Sequence, residues 1–318
     1  MRIGILGTGA VGGLYGGMLA RAGHDVHFLL HSDYDHVRAN GLRVDSVLGN
    51  FHLPSPQVYP SVEAMPHCDA VIVTTKTTLN HRLDAWLPEV VSEDGIVLTL
   101  QNGLNVEADI GRRVPMNRVL GGCCFLCSNK VGPGHIHHLD YGRIVMGPSV
   151  GGDGPTAVHT DGRRLLEMMR SSGIDANWTE DLATARWRKL MWNIPFNGLS
   201  VVMDASTDQI IGCEYGRDLA AIIIAEVHNG AAACGVQIDA DAIDATMRHT
   251  ETMVPYDSSM RLDDRHGREM EVDAIFGNPL SAVASITGKP ASQIMPRVEM
   301  LYQLLSHRNQ RRQHRQGS

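Results

Sequence analysis

The sequence predicts an α/β chain, with a doubly wound sheet domain over residues 1–180 and an all-α helical domain over residues 181–308. Three observations predict it. Short apolar runs alternate with helical stretches through the first half, as in sheets whose strands are joined by helices. From about Asp181 the apolar residues recur with a helical period instead. The length, 318 residues, suits two domains of ordinary size.

The elements follow in order. Residues 2–6 form an apolar run that leads into Gly7-Thr8-Gly9-Ala10-Val11-Gly12. A helix is expected from there to Ala22, closed by Gly23. A second strand spans residues 25–30, and Ser32 can cap a short helix ending near Gly41. Residues 42–53 alternate like a hairpin. Buried strands are expected at 70–74, 96–100 and 119–127, with helices at 79–87 and 104–112. Residues 136–146 read as extended, with a break at Gly142. A helix at 158–172 and a strand at 174–178 complete this half. Helices are then expected at 182–203, 215–234, 240–253, 269–276, 279–287 and 292–307. Residues 309–318 are rich in Arg and Gln, lack an apolar period and read as a disordered tail. The pattern changes near residue 180 without a low-complexity linker, which favours a rigid cleft between two packed domains.

Composition excludes several classes. Hydrophobic residues make up 43% and charged residues 20%, so the chain is neither disordered nor collagen-like. The net charge is −7, and the arginines near the C-terminus leave the body more acidic still. Such a body is a poor general binder of nucleic acid, and an anionic ligand would need positive charge supplied locally. Cys124 and Cys127 are spaced C-x-x-C, with His135, His137 and His138 downstream. Their apolar strand and the lack of a second such pair favour core cysteines over a zinc site, so no metal is expected. Residues 3–20 carry no charge, yet seven of these 18 residues are glycine, which makes a poor membrane helix. A soluble, cytoplasmic protein without membrane or nucleic-acid partners is the expectation. Lysine occurs only at positions 76, 130, 189 and 289, the remaining basic residues being arginine. Lys130 and Lys289 read as ordinary surface residues.

Gly7 to Gly12 fits G-x-G-x-x-G in the required strand–turn–helix setting. Gly7 permits the tight turn, Gly9 lets backbone approach a pyrophosphate, and Gly12 lets helix and strand pack closely. Dinucleotide binding is favoured over a plain glycine-rich turn. The second strand ends Leu29-Leu30-His31-Ser32, with no acid at its tip to hold the ribose hydroxyls of NAD. His31 and Ser32 can donate to a 2′-phosphate, and Arg38 lies nearby in sequence. The competing reading is a cap at Ser32 and a surface His31; the balance leans to NADP. Lys76 and Asn102 follow two further strands, at the edge where such sheets place ligands.

In the helical half, Lys189, Asn193 and Asn197 are spaced i, i+4, i+8 and share one helix face among Trp, Leu, Met, Ile and Phe. This stripe is either a structural hydrogen-bond seam or the polar wall of a ligand site. Pro195 is expected to loosen the helix. Asp263 can cap a following helix, and Glu271 lies among Met270, Val272 and Ile275, where a surface ion pair competes with a catalytic role.

These segments, together with the N-terminal turn, closely resemble the ketopantoate reductase (2-dehydropantoate 2-reductase) family, from Met1 to about Leu305. The resemblance rests on the glycine turn, Lys76, Gln101-Asn102-Gly103, the Lys189/Asn193/Asn197 ladder, Ser258-Ser259-Met260-x-x-Asp263 and Glu271-x-Asp273-x-Ile275-x-Gly277. It implies a Rossmann-type domain joined to a helical domain, and NADPH-dependent reduction of 2-dehydropantoate to pantoate on the route to pantothenate and coenzyme A. It makes Lys189 the proton donor and places Glu271 beside it and the cofactor or substrate hydroxyl. Asn193, Asn197 and Ser259 would hold substrate. Lys76 and Asn102 would reach cofactor, with Asn102 also meeting substrate. Thr8, Ala10 and Val11 join the glycines in the cofactor turn. The family often has Arg where this chain has His31. The partner would be a small 2-oxo acid, and a homodimer is compatible with the pattern. The alternatives are an NAD(P)-dependent reductase of another 2-oxo acid on the same fold, and a non-catalytic NADP-binding regulator.

Overall fold

The computed structural model describes residues 1–149 and 157–316. The chain divides into two compact units. One comprises Met1–Gln101 and Val106–Leu182; the other comprises Asn102–Asn105 and Ala183–Ser318.

The first unit is built on one sheet. Its elements are β1 (Arg2–Leu6), α1 (Ala10–Arg21), β2 (Asp25–Leu29), α2 (Tyr34–Asn40), β3 (Leu42–Ser46), β4 (Phe51–Leu53) and β5 (Gln57–Tyr59). There follow β6 (Cys68–Val73), a 3₁₀ segment at Thr77–Arg82, α3 (Leu83–Val90), β7 (Val91–Thr99), α4 (Glu107–Gly111), β8 (Val119–Gly132), β9 (His135–Pro148), α5 (Ala157–Ser171) and β10 (Ala176–Trp178). The spatial order is β4-β3-β9-β8-β7-β6-β1-β2-β5, with β10 beside β9. The run from β5 to β8 is parallel. Its order reverses between β1 and β6, where such sheets open a crevice beyond their strand ends.

Alternation along the parallel strands explains the two covered faces. Ile3, Ile5, Ala70, Ile72, Ile96 and Leu98 point to one core, shared with Leu14 and Leu19 of α1 and Leu165 and Met169 of α5. Leu6, Val71, Val73 and Val97 point to the other, against Leu83, Leu87 and Ile110. Strands buried on both sides read as unbroken apolar runs, which is how they are legible in the sequence. Each of these fully buried branched side chains stabilises the fold by about 1.5–3 kcal/mol.

The sheet differs from the expected parallel one at its far edge. β8 and β9 are antiparallel, joined by the tight turn at Gly132–Gly134, whereas the antiparallel β3–β4 pair is the hairpin expected over residues 42–53. So short a connection permits only antiparallel pairing. β9 bends where Tyr141 and Gly142 take positive φ, +60° and +124°, at the expected break. Cys124 and Cys127 are buried in β8, and burial pushes the Cys127 thiol up to about 12. Asp33, not Ser32, occupies the position before α2. Its carboxylate accepts from Lys130 Nζ of β8 at 2.6 Å and from the Gly134 N–H at 2.9 Å. Lys130 is therefore a brace between β8 and the start of α2, not the plain surface residue expected.

The second unit is helical: α6 (Leu182–Val202), α7 (Thr207–Ile211), α8 (Glu214–Ala233), α9 (Asp241–Thr252), α10 (Ser259–Arg265), a π turn at Asp273–Gly277, α11 (Asn278–Thr287) and α12 (Pro296–Gln316). Its core gathers Leu190 and Ile194 of α6, Ile224 and Val227 of α8, Val283 of α11, and Val298 and Leu301 of α12. Buried Glu226 of α8 accepts from the N–H groups of Arg297 and Val298, capping α12 from a neighbouring helix. α6 runs unbroken through Pro195, because its apolar face is held on the core. Two short helices escape the sequence pattern, since neither has room for an apolar period. α7 is marked by a capping box between Ser206 and Gln209. Asp263 caps no following helix. It lies inside α10, where its carboxylate and carbonyl both accept from Arg268 at 2.8 Å.

The tail expectation is corrected as well. α12 continues to Gln316. The Asn309 side chain bonds both the N–H and the carbonyl of Met270, at 3.2 and 3.0 Å. Buried Asp264 receives the Arg308 guanidinium fork at 2.6 and 2.7 Å and Arg312 at 2.5 Å. Polar anchoring of this kind leaves no apolar period to read. Residues 317–318 lie outside the described residues, as do 150–156.

Truncation after Arg308 should therefore destabilise the protein by about 1–3 kcal/mol, while truncation after Arg312 should leave the melting temperature nearly unchanged; thermal unfolding of both separates them. The Asp33 brace carries a pH signature. Burial alone would raise the Asp33 carboxyl, but Lys130, the Gly134 N–H and Ser32 outweigh it and hold the group below its ordinary value. The stability it contributes is complete above about pH 4 and is lost as pH falls through the lowered folded value. Asp33→Asn should flatten that acid limb in melting curves between about pH 2 and 5; an unchanged limb would mean the pair contributes nothing.

Candidate active site

In the sheet unit, the chain turns sharply between β1 and α1. Gly7 has φ +102°, and a Cβ there would fall 2.6 Å from the Thr75 nitrogen. A Cβ at Gly12 would fall 2.2 Å from the Gly7 carbonyl oxygen. Gly9, by contrast, has nothing within 4 Å of where its side chain would stand. Gly9 also precedes α1 without any side-chain cap, and the first turn holds no acid. Uncapped N–H groups at a helix N-terminus, open space beside them and no opposing charge suit a pyrophosphate. Thr8, Ala10 and Val11 complete this turn and the first helical residues.

A cavity of about 200 Å³ adjoins the turn, lined by Gly7, Gly9, His31, Ser32 and Lys130 on its polar side. Leu29, Leu30, Leu79 and Trp86 form its apolar side. The Thr8 hydroxyl donates to the Leu29 carbonyl at 3.0 Å, so turn and strand tip are tied together. Ser32 donates to Asp33 Oδ1 at 3.1 Å. Thr75 lines the same cavity, and Lys76 follows it, half-buried, at the head of the 3₁₀ segment. The Gln101 amide donates to the Thr75 carbonyl at 2.9 Å and to Asn80 Oδ1 at 2.7 Å, which fixes the ends of β6 and β7.

The helical unit assembles the other predicted residues. Lys189 Nζ donates to Asn102 Oδ1 at 2.7 Å. Asn102 opens a short loop that is pinned on all sides. A Cβ at Gly103, φ +110°, would fall 2.5 Å from the Ala274 carbonyl oxygen. The Leu104 N–H donates to that same oxygen at 3.0 Å, and the Asn278 side chain donates to the Leu104 carbonyl at 2.7 Å. Arg186 reaches the Gly103 carbonyl at 3.4 Å. Asn193 and Asn197 are buried below Lys189 on α6. Ser200 donates to the Asn197 carbonyl at 3.1 Å and pairs with Ser258 Oγ at 2.6 Å. Ser258 caps α10, and Ser259 is its first residue. Glu271 is buried on the segment entering the π turn, and its carbonyl accepts from Ile275.

Two members of the α6 face escaped the sequence reading. Arg186, Lys189, Asn193, Asn197 and Ser200 are separated by three, four, four and three residues, so all five share one face. The spacing was the available signal at both ends. Lys130 and Asp33 were missed because no local pattern links residues so far apart in sequence. A buried polar stripe on an otherwise apolar helix is costly unless each group is hydrogen-bonded. Here Arg186 and Lys189 are bonded through the Asn102 loop, and Ser200 through Ser258.

No helix among the described residues is long and apolar enough to cross a membrane. Residues 3–151 match the family model described as ketopantoate reductase PanE/ApbA, and residues 181–309 match that for its C-terminal part. A 2-dehydropantoate 2-reductase of Nostoc sp. is 45% identical over 301 residues, covering 95% of this chain and 93% of that protein. The crystal structure of 2-dehydropantoate 2-reductase from Geobacter metallireducens shares 40% identity at a TM-score of 0.90, covering 96% of this chain and 99% of that one. That from Methylococcus capsulatus shares 30% identity at a TM-score of 0.84, covering 98% of each. With both halves matched and the glycine turn and Lys189 ladder in place, the chain belongs to the ketopantoate reductase family.

Proposed function

We propose that this chain reduces the ketone of 2-dehydropantoate to the secondary alcohol of pantoate, in pantothenate biosynthesis, with Lys189 as proton donor. Its cofactor is NADPH, which supplies the hydride that reaches the carbonyl carbon. The observation that carries the assignment is the Lys189 ammonium, held 2.7 Å from the Asn102 amide oxygen on a buried polar helix face.

As hydride arrives, negative charge grows on the carbonyl oxygen. The Lys189 ammonium stabilises that charge and donates its proton to it, which completes the alcohol. Lysine suits the task as a compact cation with three rotatable donors. One of those donors is engaged by Asn102, which restricts where the ammonium can stand. Asn193, Asn197 and Ser259 offer neutral donors to the substrate carboxylate and hydroxyl. Glu271 is buried, and the family resemblance would set its carboxylate beside Lys189. On the cofactor side, the Gly7–Gly12 turn would hold the pyrophosphate, His31 and Ser32 would serve the adenine ribose, and Lys76 would reach the dinucleotide.

The domain roles follow the same reading, with residues 1–180 binding dinucleotide and residues from 181 binding substrate. A cytoplasmic location and a homodimer are further expectations, open to cell fractionation and light scattering. Other 2-oxo acids are the competing substrates, and a panel of them assayed by NADPH oxidation ranks them against 2-dehydropantoate.

Lys189→Ala should lower kcat by roughly 10²–10⁴-fold while NADPH affinity, measured by direct titration, changes little. Turnover should fall at alkaline pH, because only the ammonium can donate, and Glu271→Gln should move that fall to lower pH. If Lys189 were only a brace for Asn102, the variant would lose melting temperature and keep a near-normal kcat. Measuring both on the same preparation decides the matter, and near-normal turnover in a folded variant would overturn the assignment.

A further inference from the structure

Beyond the roles assigned above, one charged side chain in the cofactor cavity has no part in the chemistry at Lys189. Lys130 stands near the end of β8, nearly a hundred residues after the tip of β2, yet it lines the same cavity as Gly9, His31 and Ser32. We infer that Lys130 is a selectivity residue for the cofactor, and that its ammonium binds the 2′-phosphate that distinguishes NADPH from NADH.

The geometry carries this. A carboxylate at the tip of the second strand ordinarily holds ribose hydroxyls and repels a 2′-phosphate. Asp33 is the acid nearest that tip, and it too lines the cavity. Its oxygens, however, are already engaged by Lys130 at 2.6 Å, by the Gly134 N–H at 2.9 Å and by Ser32 at 3.1 Å. Lys130 thus cancels the one negative charge that would oppose a phosphate. The lysine itself is not sealed in, because its side chain retains 34% exposure while Asp33 retains 6%. The anchoring end is buried and the anchored ammonium is accessible. Lysine recognises phosphate as a point charge and needs no bidentate geometry, so an ammonium tethered at this corner suffices. Ser32, oriented by its bond to Asp33, adds a hydroxyl beside it. The arrangement also accounts for His31 serving at the strand tip, since the permanent positive charge comes from another strand.

The inference rests on NADPH binding at the glycine turn, and its test uses binding rather than turnover. Dissociation constants for NADPH, NADH, 2′,5′-ADP and 5′-ADP are measured by calorimetry on the full chain. Lys130→Gln should weaken NADPH and 2′,5′-ADP about 10-fold or more, with NADH and 5′-ADP within about 2-fold of the parent. Lys130→Arg should keep most of the selectivity. The single variant leaves Asp33 buried without its partner and can fail to fold. The double variant Asp33→Asn with Lys130→Gln removes both charges, and it should show the same selective loss of the 2′-phosphate ligands. Equal effects on both ligand pairs, or no effect on either, would make Lys130 a structural counterion and overturn the inference. A parent chain that bound neither dinucleotide would overturn the NADPH reading as well, whereas tight NADPH binding by parent and variant alike would overturn only the role of Lys130.

Discussion

At Gly12 the backbone of α1 passes so close to β1 and β6 that a Cβ would lie 2.2 Å from the Gly7 carbonyl oxygen and 2.4 Å from Thr74 Oγ1. This contact sets the sheet unit. It brings the helix N-terminus down onto the strand ends and aims its unbonded N–H groups across Gly9. It also presses the turn against the end of β6, where Thr74 and Thr75 stand. The cavity beside the turn is what remains between that turn, the tip of β2 and the segment after β6. A larger residue at position 12 would force these elements apart.

The helical unit solves a different problem, that of burying polar side chains on a mostly apolar helix. Five residues of α6 share a polar face, and four of them, Arg186, Asn193, Asn197 and Ser200, are at most 5% exposed. Unpaired, groups of this kind would each cost of the order of 1–3 kcal/mol. Arg186, Lys189 and Ser200 find partners in backbone and side chains brought from elsewhere in the chain. Asn102–Asn105, which follows β7 in sequence, belongs to the helical unit and supplies partners to Arg186 and Lys189. The Ser200–Ser258 bond supplies the other end. A stripe that served only stability could be replaced by apolar residues at little loss, so polar side chains here suit a site that handles a charged ligand.

Charged anchors of a second kind hold the ends of elements. Asp33 joins the start of α2 to β8, Glu226 caps α12, and Asp264 receives Arg308 and Arg312. Each acid is largely buried and each basic partner comes from a distant stretch of chain. These pairs explain why the tail that lacks any apolar pattern is helical and docked, and why a lysine that reads as an ordinary surface residue lines the cavity beside the glycine turn.

The sequence by itself determined the features that depend on neighbouring residues. The glycine turn was legible because backbone geometry there excludes side chains. The strands buried on both faces were legible as apolar runs, and the Lys189, Asn193, Asn197 face as a helical period. The ketopantoate reductase resemblance was legible in the order and spacing of its motifs. Tertiary structure alone decided the pairing of Lys130 with Asp33, of Asn102 with Lys189, and of Asp264 with the last turns of α12. It also decided the antiparallel edge formed by β8 and β9 and the course of α6 through Pro195. The three pairings share one physical reason. A hydrogen bond or ion pair between residues far apart in sequence leaves no periodic trace in either partner, whereas a turn, a strand or a helix writes its geometry into adjacent positions.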